Sequence, residues 1–65
     1  MKYKCRYPTI AKTVNGSIFT IEVNAYLTKP KPVKGGNMFN VIQDGYICRG
    51  VIIKHEQMKS FERVV

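Results

Sequence analysis

The chain is short, basic and rich in apolar residues. Its 65 residues include 45% hydrophobic and 23% charged side chains, a composition typical of a folded domain and not of a disordered chain. A chain of this length buries only about 60% of the surface that it exposes when unfolded, which excludes two cores and disfavours an elaborate active-site cleft. Residues 1–65 are therefore predicted to form one small soluble domain, and its net charge is +7.

The sequence favours a cytoplasmic protein with no membrane partner. No apolar run reaches the roughly 20 residues of a membrane span. The start of the chain alternates charged and aromatic residues, unlike a signal peptide. The two cysteines, Cys5 and Cys48, fall in different predicted strands, and small secreted scaffolds usually carry four or more. We expect both thiols to be reduced, small and buried.

The first predicted strand occupies residues 3–14 and alternates in character. One face carries Tyr3, Cys5 and Tyr7. The opposite, outward face carries three cations: Lys2, Lys4 and Arg6. Ile10 and Val14 continue on the other parity, so a bulge or bend at Pro8, which cannot donate to a ladder, is predicted to change the face. That change would turn Lys12 inward.

The second predicted strand, residues 17–27, shows the two-residue period of a half-buried strand. Its apolar parity holds Ser17, Phe19, Ile21, Val23, Ala25 and Leu27. Its polar parity holds Ile18, Thr20, Glu22, Asn24 and Tyr26. The preceding Asn15-Gly16 pair favours a type I′ turn, so the first two strands are predicted to form an antiparallel hairpin.

Residues 28–37 are predicted to form an exposed basic loop. Two prolines and two glycines in ten residues disfavour any regular element. The loop would carry Lys29, Lys31 and Lys34.

A second hairpin is predicted over residues 38–53, with its turn at Asp44-Gly45. A two-residue loop pairs Gln43 with Tyr46, Val41 with Cys48 and Phe39 with Gly50. A glycine inside a strand also suggests a bulge or a tight bend at Gly50. Residues 54–65 fit either one short helix or a helical turn over 55–59 followed by a last strand over residues 61–65.

Together these elements predict a mainly β fold. The expected architecture is a small antiparallel barrel or sheet, SH3-like or OB-like, built from two β-hairpins with a short C-terminal helical turn or helix. The predicted core contains Phe19, Ile21, Val23, Phe39, Val41 and Phe61.

No motif supports catalysis, a metal site or a cofactor. His55 is the only histidine and lacks the second histidine of a zinc-binding helix motif. The cysteines are not at the paired spacing of zinc sites. The four acids are scattered, so no carboxylate pair is predicted for acid–base work. We therefore expect a non-enzymatic binding module.

The one group of residues that suggests a function is the set of basic side chains in the first half of the chain. Residues 1–34 hold seven bases and one acid, a net charge of +6. The predicted hairpin brings the start of the first strand close to the lysine loop, which favours sequence-tolerant binding of DNA or RNA through phosphate contacts. The predicted binding residues are Lys2, Lys4, Arg6, Lys29, Lys31, Lys34, Tyr26 and Arg49. The alternative is a small inhibitor or adaptor, of the type found among phage and mobile-element accessory proteins, that docks on an acidic protein.

Overall fold

Seven strands and one short 3₁₀ helix make up most of the computed structural model, which describes residues 2–64. In chain order these are β1 (Lys2–Cys5), β2 (Thr9–Thr13), β3 (Ile18–Ile21), β4 (Tyr26–Val33), β5 (Gly36–Gln43), β6 (Tyr46–Lys54), the 3₁₀ helix (His55–Ser60) and β7 (Phe61–Val64). All strand pairs are antiparallel and form a single sheet in the order β3-β2-β6-β5-β4-β1-β7. The mainly β, antiparallel class is confirmed.

The sheet is curled but not closed, because β3 and β7 remain as its two edges. The Gln43 side chain, at the end of β5, reaches the edge of β3. Its Nε2 donates to the Thr20 carbonyl at 3.2 Å, and its Oε1 accepts from the Glu22 amide at 2.7 Å. One side-chain amide thus joins two strands that do not pair through their backbones.

The core lies on the concave side of the curled sheet. Its buried members are Cys5, Ala11, Ile21, Ala25, Leu27, Phe39, Val41, Val51, Ile53 and Phe61. Tyr3, Phe19, Cys48 and Met58 are partly buried and pack against them. Four of the predicted core residues are therefore buried, Phe19 is half-buried, and Val23 is wrong because 46% of it is exposed.

Val23 is exposed because the predicted strand 17–27 is two strands. β3 ends at Ile21 and β4 begins at Tyr26, and the chain turns between them with Asn24 at a φ of 75°. Ile21 and Ala25, on either side of the turn, are both buried. The alternation of apolar and polar residues therefore continues through the turn, and the sequence pattern does not reveal it.

The predicted change of face in the first strand is also wrong. A bend at Arg6 and Tyr7 separates β1 from β2, but the inward parity is kept, since Ala11 is buried while Ile10 and Val14 are exposed. Lys12 accordingly faces outward. The alanine is small and gave no sequence signal, whereas the outward isoleucine and valine gave a misleading one.

Both hairpin turns lie where predicted, at Asn15-Gly16 and Asp44-Gly45, but the first is not of the predicted turn type. Only Gly16 of the Asn15-Gly16 pair has a positive φ, so the β2–β3 loop is not a type I′ turn. The Thr13 amide donates to the Ser17 carbonyl at 2.8 Å, which closes a three-residue loop. Asp44 and Gly45 both have positive φ values, as a type I′ turn requires.

The predicted basic loop over residues 28–37 is wrong, because β4 runs to Val33 and β5 starts at Gly36. A bulge between Thr28 and Lys31 accommodates Lys29, at a φ of 54°, and Pro30. Beyond Thr28, β4 pairs only with β5 among residues 2–64, since β1 begins opposite that residue. Proline is tolerated on such a free edge, where no amide is needed.

The β5–β6 hairpin follows the predicted register up to a bulge. Gln43 pairs with Tyr46 and Val41 with Cys48, but Phe39 pairs with Val51 and not with Gly50. Two residues of β6 between these pairs face one residue of β5, which is the bulge expected at Gly50. At the C-terminus the second alternative is correct, because the 3₁₀ helix is followed by β7, with Phe61 buried.

Candidate nucleic-acid interface

Three of the predicted site residues meet on the outer face of β1 and β4. Lys4 is paired with Tyr26, and Lys2 with Thr28. The Lys2 and Lys4 ammonium nitrogens lie 5.0 and 6.0 Å from the centroid of the Tyr26 ring. An aromatic face attracts cations at such distances. We call Lys2, Lys4 and Tyr26 the basic platform.

The sequence of β1 forces its two lysines outward. Cys5 is fully buried, and Tyr3 packs edge to face on Phe39, with ring centroids 5.8 Å apart. Because successive side chains alternate across a strand, Lys2 and Lys4 take the other face. Pairing with β4 on one side and β7 on the other fixes the strand that carries them.

Arg6 lies just past the end of β1 and is neutralised. Its Nε and Nη2 donate to Glu62 Oε1 at 2.8 and 2.7 Å. Glu62 is also the β7 partner of Lys4. The predicted outward row of three cations therefore consists of two lysines over an aromatic ring and one arginine in an ion pair.

The lysines of residues 29–34 continue from the platform along β4. Thr28 is opposite Lys2, so Lys29 follows directly beside the start of β1. Lys31 comes after the bulge, and Lys34 occupies the turn into β5. Lys34 is six residues beyond Thr28 in the chain, with the bulge between them. The two basic segments are brought together by the pairing of β1 with β4, and they form a track rather than a cluster.

Arg49 is not part of this arrangement. It lies in the bulge of β6, and two strands, β5 and β4, separate β6 from β1. It lines a groove with Val14 and Ile18 of the β2–β3 hairpin.

Two of the four acids border the other side of the platform. Glu22 and Asp44 line a groove together with Tyr26 and Ile42. Carboxylates repel a phosphate backbone, so the open path for a polyanion leads from Tyr26 toward Lys31 and away from this groove.

Sequence reasoning missed two apolar neighbours of the platform. Tyr26 is paired with Ile42, which is paired with Ile47 of β6, and these isoleucines are 37% and 59% exposed. Alternation along the strands was the available signal, since Ile42 follows the inward Val41 and Ile47 precedes Cys48, the partner of Val41. They extend the Tyr26 surface across three strands.

The histidine, cysteine and acidic side chains of the described residues form no cluster. Residues 2–64 contain no group of three His, Cys, Asp or Glu side chains that could hold a metal ion. His55 is exposed. Both cysteines are free, and burial raises the pKa of the Cys5 thiol.

No family model matches the chain, and neither a curated protein nor a solved structure is detectably similar to it. None of the helical segments within residues 2–64 is long and apolar enough to cross a bilayer.

Proposed function

We propose that this domain is a non-enzymatic module that binds nucleic acid in a sequence-tolerant way. The observation that carries the proposal is the basic platform, in which two outward lysines lie against the partly exposed ring of Tyr26. Phosphate contacts by lysine release condensed counterions, and a tyrosine ring stacks on any base. The platform offers both contacts side by side.

The choice of cations supports tolerance of sequence. The track consists of Lys2, Lys4, Lys29, Lys31 and Lys34, while Arg6 is held by Glu62. Lysine is a point charge without the bidentate fork that arginine uses to read guanine. Contacts of this kind position a nucleic-acid strand but do not read its bases.

The proposal includes a cytoplasmic location, where Cys5 and Cys48 stay reduced. It also includes an SH3-like or OB-like mode of binding, in which one face of a small curled β-sheet takes the ligand. The support for this mode is that β5, β4 and β1 are adjacent strands and present one continuous outer face.

The test is a salt titration of binding to fluorescent single-stranded and duplex oligonucleotides. Roughly four to six neutralised phosphates give a log–log slope of affinity against salt of about −3 to −5. The double variant Lys2→Gln/Lys4→Gln should weaken binding to all sequences alike and reduce the slope by about 1.5, since it removes two phosphate contacts.

A matched control separates the platform from net charge. Lys54→Gln/Lys59→Gln removes the same two charges from exposed positions outside the track and should leave affinity nearly unchanged. Glu62→Gln releases Arg6 and should tighten binding, with a slope steeper by about 0.7–0.9. Equal effects of the two double variants, or no binding near 50 mM salt at micromolar protein, would contradict the proposal.

The second candidate is a small inhibitor or adaptor, of the phage or mobile-element accessory type, that docks on an acidic protein. The exposed Ile42 and Ile47 beside Tyr26 favour it, because apolar area at a charged rim is typical of protein interfaces. Absence of oligonucleotide binding, together with an acidic partner lost in Lys2→Gln/Lys4→Gln, would select this function.

A further inference from the structure

The two edges of the sheet differ in how they are protected. Natural sheets shield their edges with charged residues, prolines or bulges, because an open edge can pair with another chain. β7 has the sequence FERV and exposes Glu62 and Arg63. β3 has the sequence IFTI, with no charge and no proline, and Ile18 is 70% exposed. β3 is therefore the unprotected edge.

Part of the β3 edge already accepts an amide partner. The Thr13 amide donates to the Ser17 carbonyl, so odd-numbered residues of this hairpin direct their backbone groups toward each other. The backbone amides and carbonyls of the even-numbered residues of β3 therefore point away from β2, toward the open edge. At this edge the side-chain amide of Gln43 hydrogen-bonds the Thr20 carbonyl and the Glu22 amide, as a peptide group of a neighbouring strand would. The amide and carbonyl of Ile18 and the amide of Thr20 face no strand within residues 2–64.

Apolar side chains flank this edge on both faces of the sheet. On the outer face Ile18 stands beside Lys12, which stands beside Ile52, and all three line one groove with Ile10. On the inner face Phe19 is only half-buried. A strand added to β3 would cover apolar surface on both sides, which gives strand addition its side-chain specificity.

The charges around the edge define its partner. Lys12 and Lys54 line the outer groove, Arg49 lines the groove on the other side of Ile18, and no acid lines either one. Asp44 lines a further groove beside Phe19, at the end of the edge where Gln43 is already bonded to Thr20. A segment that alternates apolar residues with aspartate or glutamate matches this pattern. A second copy of the chain does not, since each copy carries a charge of +7.

We propose that β3 is a receptor for an extended acidic and apolar segment of a partner protein. The segment adds to the sheet as an eighth strand beside Ile18 and Thr20. This site is distinct from the basic platform, since Lys2, Lys4 and Tyr26 line neither of the grooves beside Ile18.

The probe is a capped synthetic peptide of about eight residues that alternates valine with aspartate, observed by amide hydrogen exchange in nuclear magnetic resonance. Binding should slow exchange at the Ile18 and Thr20 amides. The Phe19 and Ile21 amides, which already face β2, should change little. A peptide with lysine in place of aspartate serves as the charge control.

Three variants define the site. Ile18→Ser should lower peptide affinity about tenfold or more, since it removes an apolar contact without adding a charge that would attract the acidic peptide. Val23→Ser, at another exposed apolar residue that lies outside β3, should leave affinity within about twofold. Thr20→Pro removes an edge amide that no strand uses and should also abolish most of the binding.

Circular dichroism confirms that each variant is folded before binding is compared. Unchanged exchange at Ile18 and Thr20, or equal binding of the lysine peptide, would overturn the proposal. Concentration-dependent dimers that vanish in Thr20→Pro would overturn it as well, because a second copy would then be the occupant. Lys2→Gln/Lys4→Gln should bind the peptide as the wild type does, which keeps this outcome separate from that of the nucleic-acid test.

Discussion

Cys5 ties three parts of the molecule together. Its amide donates to the Ala25 carbonyl at 2.8 Å, and its carbonyl accepts from the Asn24 amide at 2.9 Å. Its thiol donates to the Tyr7 carbonyl at 3.0 Å. Burial, with a smaller contribution from the Glu22 carboxylate, raises the pKa of this thiol above its ordinary value of 9.0. A predicted small core residue thus also anchors the turn between β3 and β4.

The raised pKa of Cys5 predicts a loss of stability in alkali. As pH rises, the unfolded chain loses the thiol proton first, near 9.0, while the folded chain keeps it. The thiol's contribution to stability is complete below that pH and disappears as pH rises through the folded pKa. Urea unfolding between about pH 7 and about pH 10 should show a steeper decline for the wild type than for Cys5→Ser, whose hydroxyl does not titrate. Parallel declines would contradict the prediction.

Gly36 sets the close approach of β5 to β6. A Cβ at this position would collide with the backbone carbonyl of Ile53. Gly36 is paired with Val33 on one side and Lys54 on the other, so three strands meet there. Backbone atoms cannot rotate aside as a side chain can, and the collision has no inexpensive relief.

Gly36→Ala should therefore lower the free energy of unfolding by about 1–3 kcal/mol or more. The control is Gly45→Asn, in the Asp44-Gly45 turn, where open space surrounds the glycine and asparagine tolerates the positive φ. Its cost should stay within a few tenths of a kcal/mol. Chemical denaturation of both variants makes the comparison. A Gly36→Ala variant as stable as Gly45→Asn would show that β5 and β6 can separate at this point.

Elements defined by local signals were predictable, and elements defined by distant partners were not. The turns at Asn15-Gly16 and Asp44-Gly45 are set by the turn residues themselves. The inward placement of Phe39 and Val41 follows from the two-residue period of one strand. β4 runs through Pro30 and Pro32 only because its free edge needs no amides there. Nothing near those prolines in the sequence indicates which edge is free.

The same distinction applies to the platform. The outward parity of Lys2, Lys4 and Tyr26 was readable from alternation alone. The predicted hairpin also placed the start of the first strand beside the end of the second, and Lys4 does pair with Tyr26 and Lys2 with Thr28. The ion pair between Arg6 and Glu62 depends on β7, a strand that was only one of two alternatives for the C-terminal residues.

At the scale of the whole molecule, charge is unbalanced and little of it is paired. The net charge is +7, and Arg6–Glu62 is the sole ion pair within residues 2–64. Both side chains of that pair are about half exposed, so it contributes little to stability. Glu22 and Asp44 border one groove, and no lysine within residues 2–64 forms an ion pair. Repulsion among cations is thus the dominant electrostatic effect on folding.

Moderate salt should consequently stabilise the fold while it weakens binding to a polyanion. The domain measures 25 Å in its longest direction, less than the Debye length of about 30 Å at 10 mM salt, so every cation repels every other. At 0.1 M that length falls to about 10 Å, and only near neighbours interact. The urea midpoint should therefore rise between about 10 mM and about 0.2 M NaCl. Lys2→Gln/Lys4→Gln, with a charge of 7 − 2 = +5, should show a smaller rise. A midpoint that falls with salt would mean that the ion pair and the lysine contacts with Tyr26 outweigh the repulsion.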